Sequence, residues 1–283
     1  MFLFRVWYIC VVVFALLGIP ARAWDYCQEN WCPRPNDHVA CNNNGTLGTK
    51  CFPEARLLPL SDSLRYFILH KINFYRNEVA SGKFPGFGAA LRMASVSWDP
   101  ELATLAELTV KQCSLSTDSC RNTRRFKHVG QLIGHVIFSA RKHSNLQLLD
   151  HKIDNWFNEY KRSTNKLGNE KPNSFRQLIQ ERATHMGCGV LRQRRHQKWH
   201  QQFIVCNFAR EDMAQEPAYE EGLQPASGCR SGPNPSYPYL CALEEHYDVN
   251  ALDRYYTTKS SLRIKILYSE PKRVPVKARE EYL

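Results

Sequence analysis

Several groups of residues in this chain have the types and spacing to do chemistry. His196 and His200 stand four apart, a spacing that on a helix sets two imidazoles on one side for a metal ion. Cys27 and Cys32, as Cys-x4-Cys, have the form of half a zinc site. Arg192, Arg194, Arg195 and Lys198, followed by Trp199, put four permanent cations in one short run able to grip sulfate or phosphate oxygens. Asn44-Gly45-Thr46 is an N-glycosylation sequon. His185 stands by itself and reads as a structural hydrogen-bonder.

These groups must be weighed against the elements that carry them. The stretch from Asn173 to Phe208 organises the chain. It leads through Thr184-His185-Met186-Gly187-Cys188-Gly189-Val190-Leu191, crosses a basic loop from Arg192 to His200, and returns as Phe203-Ile204-Val205-Cys206-Asn207-Phe208. On the return, Phe203 and Val205 face one way while Ile204, Cys206 and Phe208 face the other. A strand apolar on both faces is covered on both, so helices are expected above and below it. Cys188 and Cys206 then sit at similar heights on antiparallel neighbours, where a mutual disulfide is sterically reasonable. In that frame His196 and His200 lie in a loop between strands and read as solvated. The basic run competes with the same plain reading.

Residues 1–23 read as a secretory signal peptide: Arg5, an apolar run from Val6 to Leu17, and Ala21-Arg22-Ala23 at the cleavage positions. That leaves 283 − 23 = 260 residues for the mature chain. No later stretch approaches the roughly 20 apolar residues of a membrane span, so no stable membrane insertion is expected. Of the 11 cysteines Cys10 leaves with the signal, and an even set remains. An oxidising compartment favours disulfides over zinc for such a set. The net charge of +11 becomes +9 without Arg5 and Arg22. On an exported protein this favours anionic glycans or acidic proteins as partners over nucleic acid.

Residues 24–59 are rich in Cys, Asn, Pro and Gly and read as an irregular extension. A first helix is expected from Ser61 or Asp62 to just before Gly82, with Leu64, Phe67, Ile68, Phe74, Tyr75 and Val79 on its apolar side. Asp99, Pro100 and Glu101 signal the start of a second helix, whose stripe is Leu102, Leu105, Ala106 and Thr109. Gln131 to Ser139 reads as a short buried helix. Leu149, Ile153, Trp156 and Tyr160 mark a third long helix, with Glu159 beside the stripe. Residues 211–252 read as a loop-like extension holding Cys229 and Cys241, and 253–283 as a basic, mobile tail.

Several segments carry a resemblance. Asn73-Phe74-Tyr75-Arg76-Asn77-Glu78-Val79-Ala80-Ser81-Gly82, Trp98-Asp99-Pro100-Glu101-Leu102-Ala103, Cys113 to Asn122, Gly130-Gln131, Trp156-Phe157-Asn158-Glu159, His185 to Val190 and Cys206-Asn207-Phe208 resemble, in order, motifs of the CAP superfamily. The four leading cysteines and the last pair resemble its insect antigen 5-related branch. The resemblance implies an α+β fold, an α-β-α sandwich over 60–210 with a mostly antiparallel sheet. It also implies the pairs Cys27–Cys41, Cys32–Cys120, Cys51–Cys113, Cys188–Cys206 and Cys229–Cys241.

The family's cleft commonly holds two histidines and two acids able to bind a divalent metal. Carried over, those positions fall on Thr117, Gln131, Glu159 and Ser174, and Ile72 stands where a histidine usually precedes the Asn of the first-helix motif. Both cleft histidines are missing. One carboxylate, an amide and two hydroxyls make a poor zinc set, and supply no general base near neutrality. Ser174 as a nucleophile would need a histidine beside it, such as His128 swinging into the cleft. The expectation is a secreted, non-enzymatic surface-binding protein with no cofactor. The alternatives are a glycosaminoglycan- or lipid-binding protein and, further off, a hydrolase using another site.

Overall fold

A computed structural model describes residues 25–27, 30–139, 143–165, 173–196, 198–213 and 216–251. The signal segment and the basic tail expected at the two ends lie outside these residues. The central sheet has the strand order β1-β5-β6-β4, with β3 on β5. Its members are β1 (Arg56–Leu57), β3 (Ser97–Trp98), β4 (Gly130–Ser139), β5 (His185–His196) and β6 (Trp199–Phe208). All pairings are antiparallel except β3 with β5. Two small antiparallel pairs lie outside it, β2 (Ala89–Ala90) with β7 (Glu221–Gly222) and β8 (Pro233–Asn234) with β9 (Tyr237–Cys241).

The two-faced strand has its two covers. Ile204, Cys206 and Phe208 enter the large core with Trp156 and Phe157 of α3 (Asn145–Phe157) and Ile68 and Ile72 of α1 (Asp62–Ala80). Phe203 and Val205 pack on the other side against Ala106 and Val110 of α2 (Pro100–Val110). The Gly187-Cys188-Gly189 alternation explains how α2 comes so close. A Cβ on Gly187 would lie 2.2 Å from the backbone nitrogen of Ala103, and one on Gly189 would lie 2.6 Å from that of Glu107. Cys188, pointing to the opposite face, is directly opposite Cys206 in the register and bonded to it.

Local chemistry sets the helix starts. Ser61 accepts from the backbone of Leu64, Asp99 from that of Leu102 with Pro100 at the first turn, and Ser144 forms a reciprocal cap with Gln147. The first-helix motif is also explained. Asn73 pairs its amide with both backbone groups of Val96, at 2.8 and 2.9 Å. Arg76, fully buried, donates to the carbonyls of Ala94, Leu178 and Gln180. Phe74, expected on the apolar side of α1, is exposed instead.

Three expectations change. Residues 131–139 form a strand, not a helix: β4 pairs with β6 along its whole length, from Gly130 opposite Phe208 to Ser139 opposite Trp199. Gly134 and the β-branched Ile133, Val136 and Ile137 disfavour a helix there, and a short apolar run does not tell the two states apart. The third helix ends at Phe157, and residues 158–162 tighten into a 3-10 turn carrying Glu159 and Tyr160. Most of the expected basic loop is strand, because β5 runs on to His196 and β6 begins at Trp199. The bridges Cys27–Cys41, Cys32–Cys120, Cys51–Cys113 and Cys229–Cys241 complete the pairs that the resemblance implies.

Candidate functional site

Thr117, Gln131, Glu159 and Ser174 come from four separate segments and line one cavity of about 470 Å³, with Gln177 and Asp212 at its floor. Gln131 enters from the start of β4, Glu159 from the 3-10 turn, and Ser174 from the first turn of the short helix α4 (Ser174–Leu178). Thr117 is exposed on the loop between Cys113 and Cys120. Asn173 caps α4 by accepting from the backbone of Arg176 at 3.0 Å, which fixes Ser174 facing inward.

Glu159, Gln131, Gln177 and Asp212 of this cleft are each committed to neighbours, while Glu211, also on its wall, has its carboxyl pKa raised by burial. Glu159 accepts through Oε2 from the Ser174 backbone N–H at 2.7 Å and through Oε1 from the Ser174 hydroxyl at 3.0 Å. Gln131 donates from Nε2 to Asp118 Oδ2 at 2.7 Å and to Asn207 Oδ1 at 2.9 Å. Asp118 is also paired with Arg121, and Asn207 donates on to the carbonyl of Leu102 at 3.1 Å. At the floor Gln177 donates to the Arg210 carbonyl and accepts from the Asp212 backbone. Arg176 grips Asp212 with two parallel bonds of 2.9 and 3.0 Å, both side chains buried.

No histidine is among the described residues lining the cleft. His128 faces a different cavity of about 1000 Å³, between the Cys-rich extension and the segment 119–129, and its pKa is lowered by burial and by Arg210 and Lys127. His185 is half-buried, with Nδ1 2.8 Å from the Thr184 hydroxyl and its ring against Phe126. Burial and Arg125 push its pKa down. His196 ends β5 and His200 lies in β6, where His200 stacks on Phe138 with ring centroids 5.7 Å apart. No group of three or more His, Cys, Asp or Glu side chains suited to a metal occurs among the described residues.

Sequence reasoning placed Arg192, Arg194, Arg195 and Lys198 together on a loop, but strand alternation divides the arginines. Arg192 and Arg194 share the face of the large core, and Arg195 points to the other, beside His135 and Gln193. Arg194 is 3.5 Å from Glu54, both exposed. Lys198 is exposed in the turn. Asn44 is exposed, its Oδ1 accepting from the backbone and hydroxyl of Thr46. Asp118, Asn207, Gln177 and the Arg176–Asp212 pair were not foreseen. Asp118 and Asn207 carried a signal, through their places in the Cys113 to Asn122 and Cys206-Asn207-Phe208 motifs.

The family described as "CAP: Cysteine-rich secretory protein family" matches residues 69–208. "Venom allergen-1" of Aedes aegypti is 32% identical over 229 residues, covering 78% of this chain and 88% of that protein. The chain belongs to the CAP family. "Antigen 5 like allergen Cul n 1" of Culicoides nubeculosus is 34% identical over 198 residues, covering 64% of this chain and 89% of the allergen. With it, the chain falls in the antigen 5-related branch of CAP proteins. Among solved structures, Na-ASP-1 superposes with a TM-score of 0.51 at 20% identity, over 69% of this chain and 50% of that one, a likeness of fold alone.

Proposed function

We propose that this CAP protein is secreted, is not an enzyme, and acts by binding an acidic extracellular partner through its surface, an anionic glycan being the class its charge fits. The observation that carries the reading is how Glu159 and Gln131 of the cleft are committed. Both carboxylate oxygens of Glu159 are held by Ser174, and the Gln131 amide is committed to Asp118 and Asn207. A carboxylate already accepting two hydrogen bonds from one residue is a weak base, and the Ser174 hydroxyl donates to Glu159 with no imidazole to take its proton. The same donor set does not suit zinc, which favours imidazole and thiolate. No helix among the described residues is long and apolar enough to cross a membrane, and the five disulfides fit an oxidising compartment.

The test has two arms. Ester and peptide hydrolysis by the oxidised protein is expected to be indistinguishable from that of Glu159→Gln, and calorimetry with zinc is expected to show no heat above dilution. Glu159-dependent turnover would instead establish the hydrolase reading. On heparin the protein is expected to be retained and released by salt. Absent or salt-insensitive retention removes the glycan.

A further inference from the structure

The sheet outruns the helix that covers its α2 side. The packing of Ala106 and Val110 reaches as far as Phe203. Beyond it the same face continues through Ile137 of β4, Gln201 and Trp199 of β6, and Gln193 and Arg195 of β5. There Trp199 is 50% and Ile137 42% exposed, as diagonal neighbours across the β4–β6 ladder. Gln201, between them in the register, lines an open cavity of about 380 Å³ with Gln193, Arg195 and His135. The facing wall is Lys50, Phe52 and Leu115, whose two segments are joined by the Cys51–Cys113 bridge. Exposed apolar side chains placed together and rimmed by charge mark a binding surface, where single ones would not.

Charge and hydrogen bonding are one-sided at this cavity. Lys50 and Arg195 are both exposed, and no carboxylate is among the described residues lining it. Lys152 and Arg195 add to burial in lowering the pKa of His135, as a positive field would. A fixed backbone donor orients the amides. The Phe52 N–H donates to Gln193 Oε1 at 3.0 Å, so Gln193 offers its Nε2, which donates to Gln201 Oε1 at 3.1 Å. Gln201 Nε2 is left as a donor with no acceptor among the described residues, and unlike Gln202 Oε1 it is not sealed from solvent. Two cations and an N–H donor call for anionic oxygen, while the open indole calls for a flat apolar surface. An acidic sugar supplies both, through carboxylate or sulfate oxygens and the C–H face of its ring. Bare sulfate and an acidic peptide supply only the first.

We propose that Lys50, Arg195, Gln201 and Trp199 form a subsite for one sulfated or uronic acid unit of an acidic glycan, its oxygens held by the first three and its ring laid on the indole. The subsite rests on the glycan reading above and gives it a location.

The experiment titrates the full oxidised chain by NMR with a sulfated uronic acid disaccharide, with inorganic sulfate and with a short polyglutamate peptide. The Trp199 indole N–H signal, assigned by its loss in Trp199→Ala, is expected to move with the disaccharide and to stay in place with sulfate. Trp199→Ala and Arg195→Ala are each expected to weaken disaccharide binding about tenfold. Arg194→Ala removes the same charge one residue away on the opposite face and is expected to change binding less than about twofold. All three side chains are exposed, so the variants are expected to melt with the parent. The subsite is overturned if the parent binds no disaccharide, if Arg194→Ala matches Arg195→Ala, if Trp199→Ala binds as the parent does, or if sulfate or polyglutamate binds as tightly as the disaccharide. Any of these results with heparin retention intact leaves a charge-driven glycan reading standing. Disaccharide binding without heparin retention keeps the subsite and removes the polymer reading.

Discussion

Gln131 and Gln202 are amides on neighbouring strands of one sheet, and they are used in opposite ways. Gln131, near the start of β4, donates to Asp118 and Asn207 and accepts from the Asp118 backbone. Gln202, nearer the hairpin turn, is more deeply buried and leaves its carbonyl oxygen unpaired. At the cleft, Glu159 and Gln131 are therefore spent on their neighbours. Gln202 at the hairpin end is buried without that pairing. Location in a cleft says less about function than whether the hydrogen-bond inventory closes.

The sharpest way to break that contrast is at the cleft floor. Arg176→Met should leave the buried carboxylate of Asp212 uncompensated, a loss of about 3–5 kcal/mol in a denaturant titration. Gln131→Leu strips donors from Asp118 and Asn207 and should lose about 1–3 kcal/mol. Gln202→Met, by contrast, should lose nothing. If the two glutamines respond alike, the distinction between a closed and an open polar set fails.

Acid sharpens the comparison further. His38 is buried in the Cys-rich extension, stacked on Tyr26, accepting from the Ala40 backbone at Nδ1 and donating from Nε2 to the Asn122 carbonyl. Burial is the main cause that holds its pKa below 6.5, and His128, His135 and His185 are shifted the same way. Above the unfolded pKa both states are neutral and the shift contributes nothing. As pH falls below about 6.5 the unfolded chain takes up protons that the folded one refuses, so stability declines. Urea midpoints should drop between pH 7.5 and 5.5, and less so in His38→Gln.

What could be read in advance follows the range of the interactions involved. Asp99 before Pro100 announces α2 because a cap is settled within one turn. The opposed apolar faces of residues 203–208 announce the two helical layers because alternation is local too. β4 was unreadable in isolation: Gly130–Ser139 is a strand because ten cross-strand partners on β6 hold it, and none of them is nearby in sequence. The cleft positions Glu159 and Ser174 were legible through resemblance, but their mutual hydrogen bonds depend on the 3-10 turn that ends α3. The division of Arg192 from Arg195 was hidden for a simpler reason. A run read as loop has no faces, and the same run as strand has two.

The smallest expected effect concerns the one hairpin arginine of the large-core face that has an acid beside it. Arg194 and Glu54 are 3.5 Å apart and both exposed, so Coulomb attraction in water barely exceeds the entropy of holding two long side chains. Glu54→Gln should change stability by less than about 0.5 kcal/mol. It also removes a negative charge next to Arg56 and frees Arg194 on the face that carries Arg192. Retention on heparin should therefore shift to slightly higher salt. Retention unchanged by Glu54→Gln would mean that this face of the hairpin does not meet the polymer.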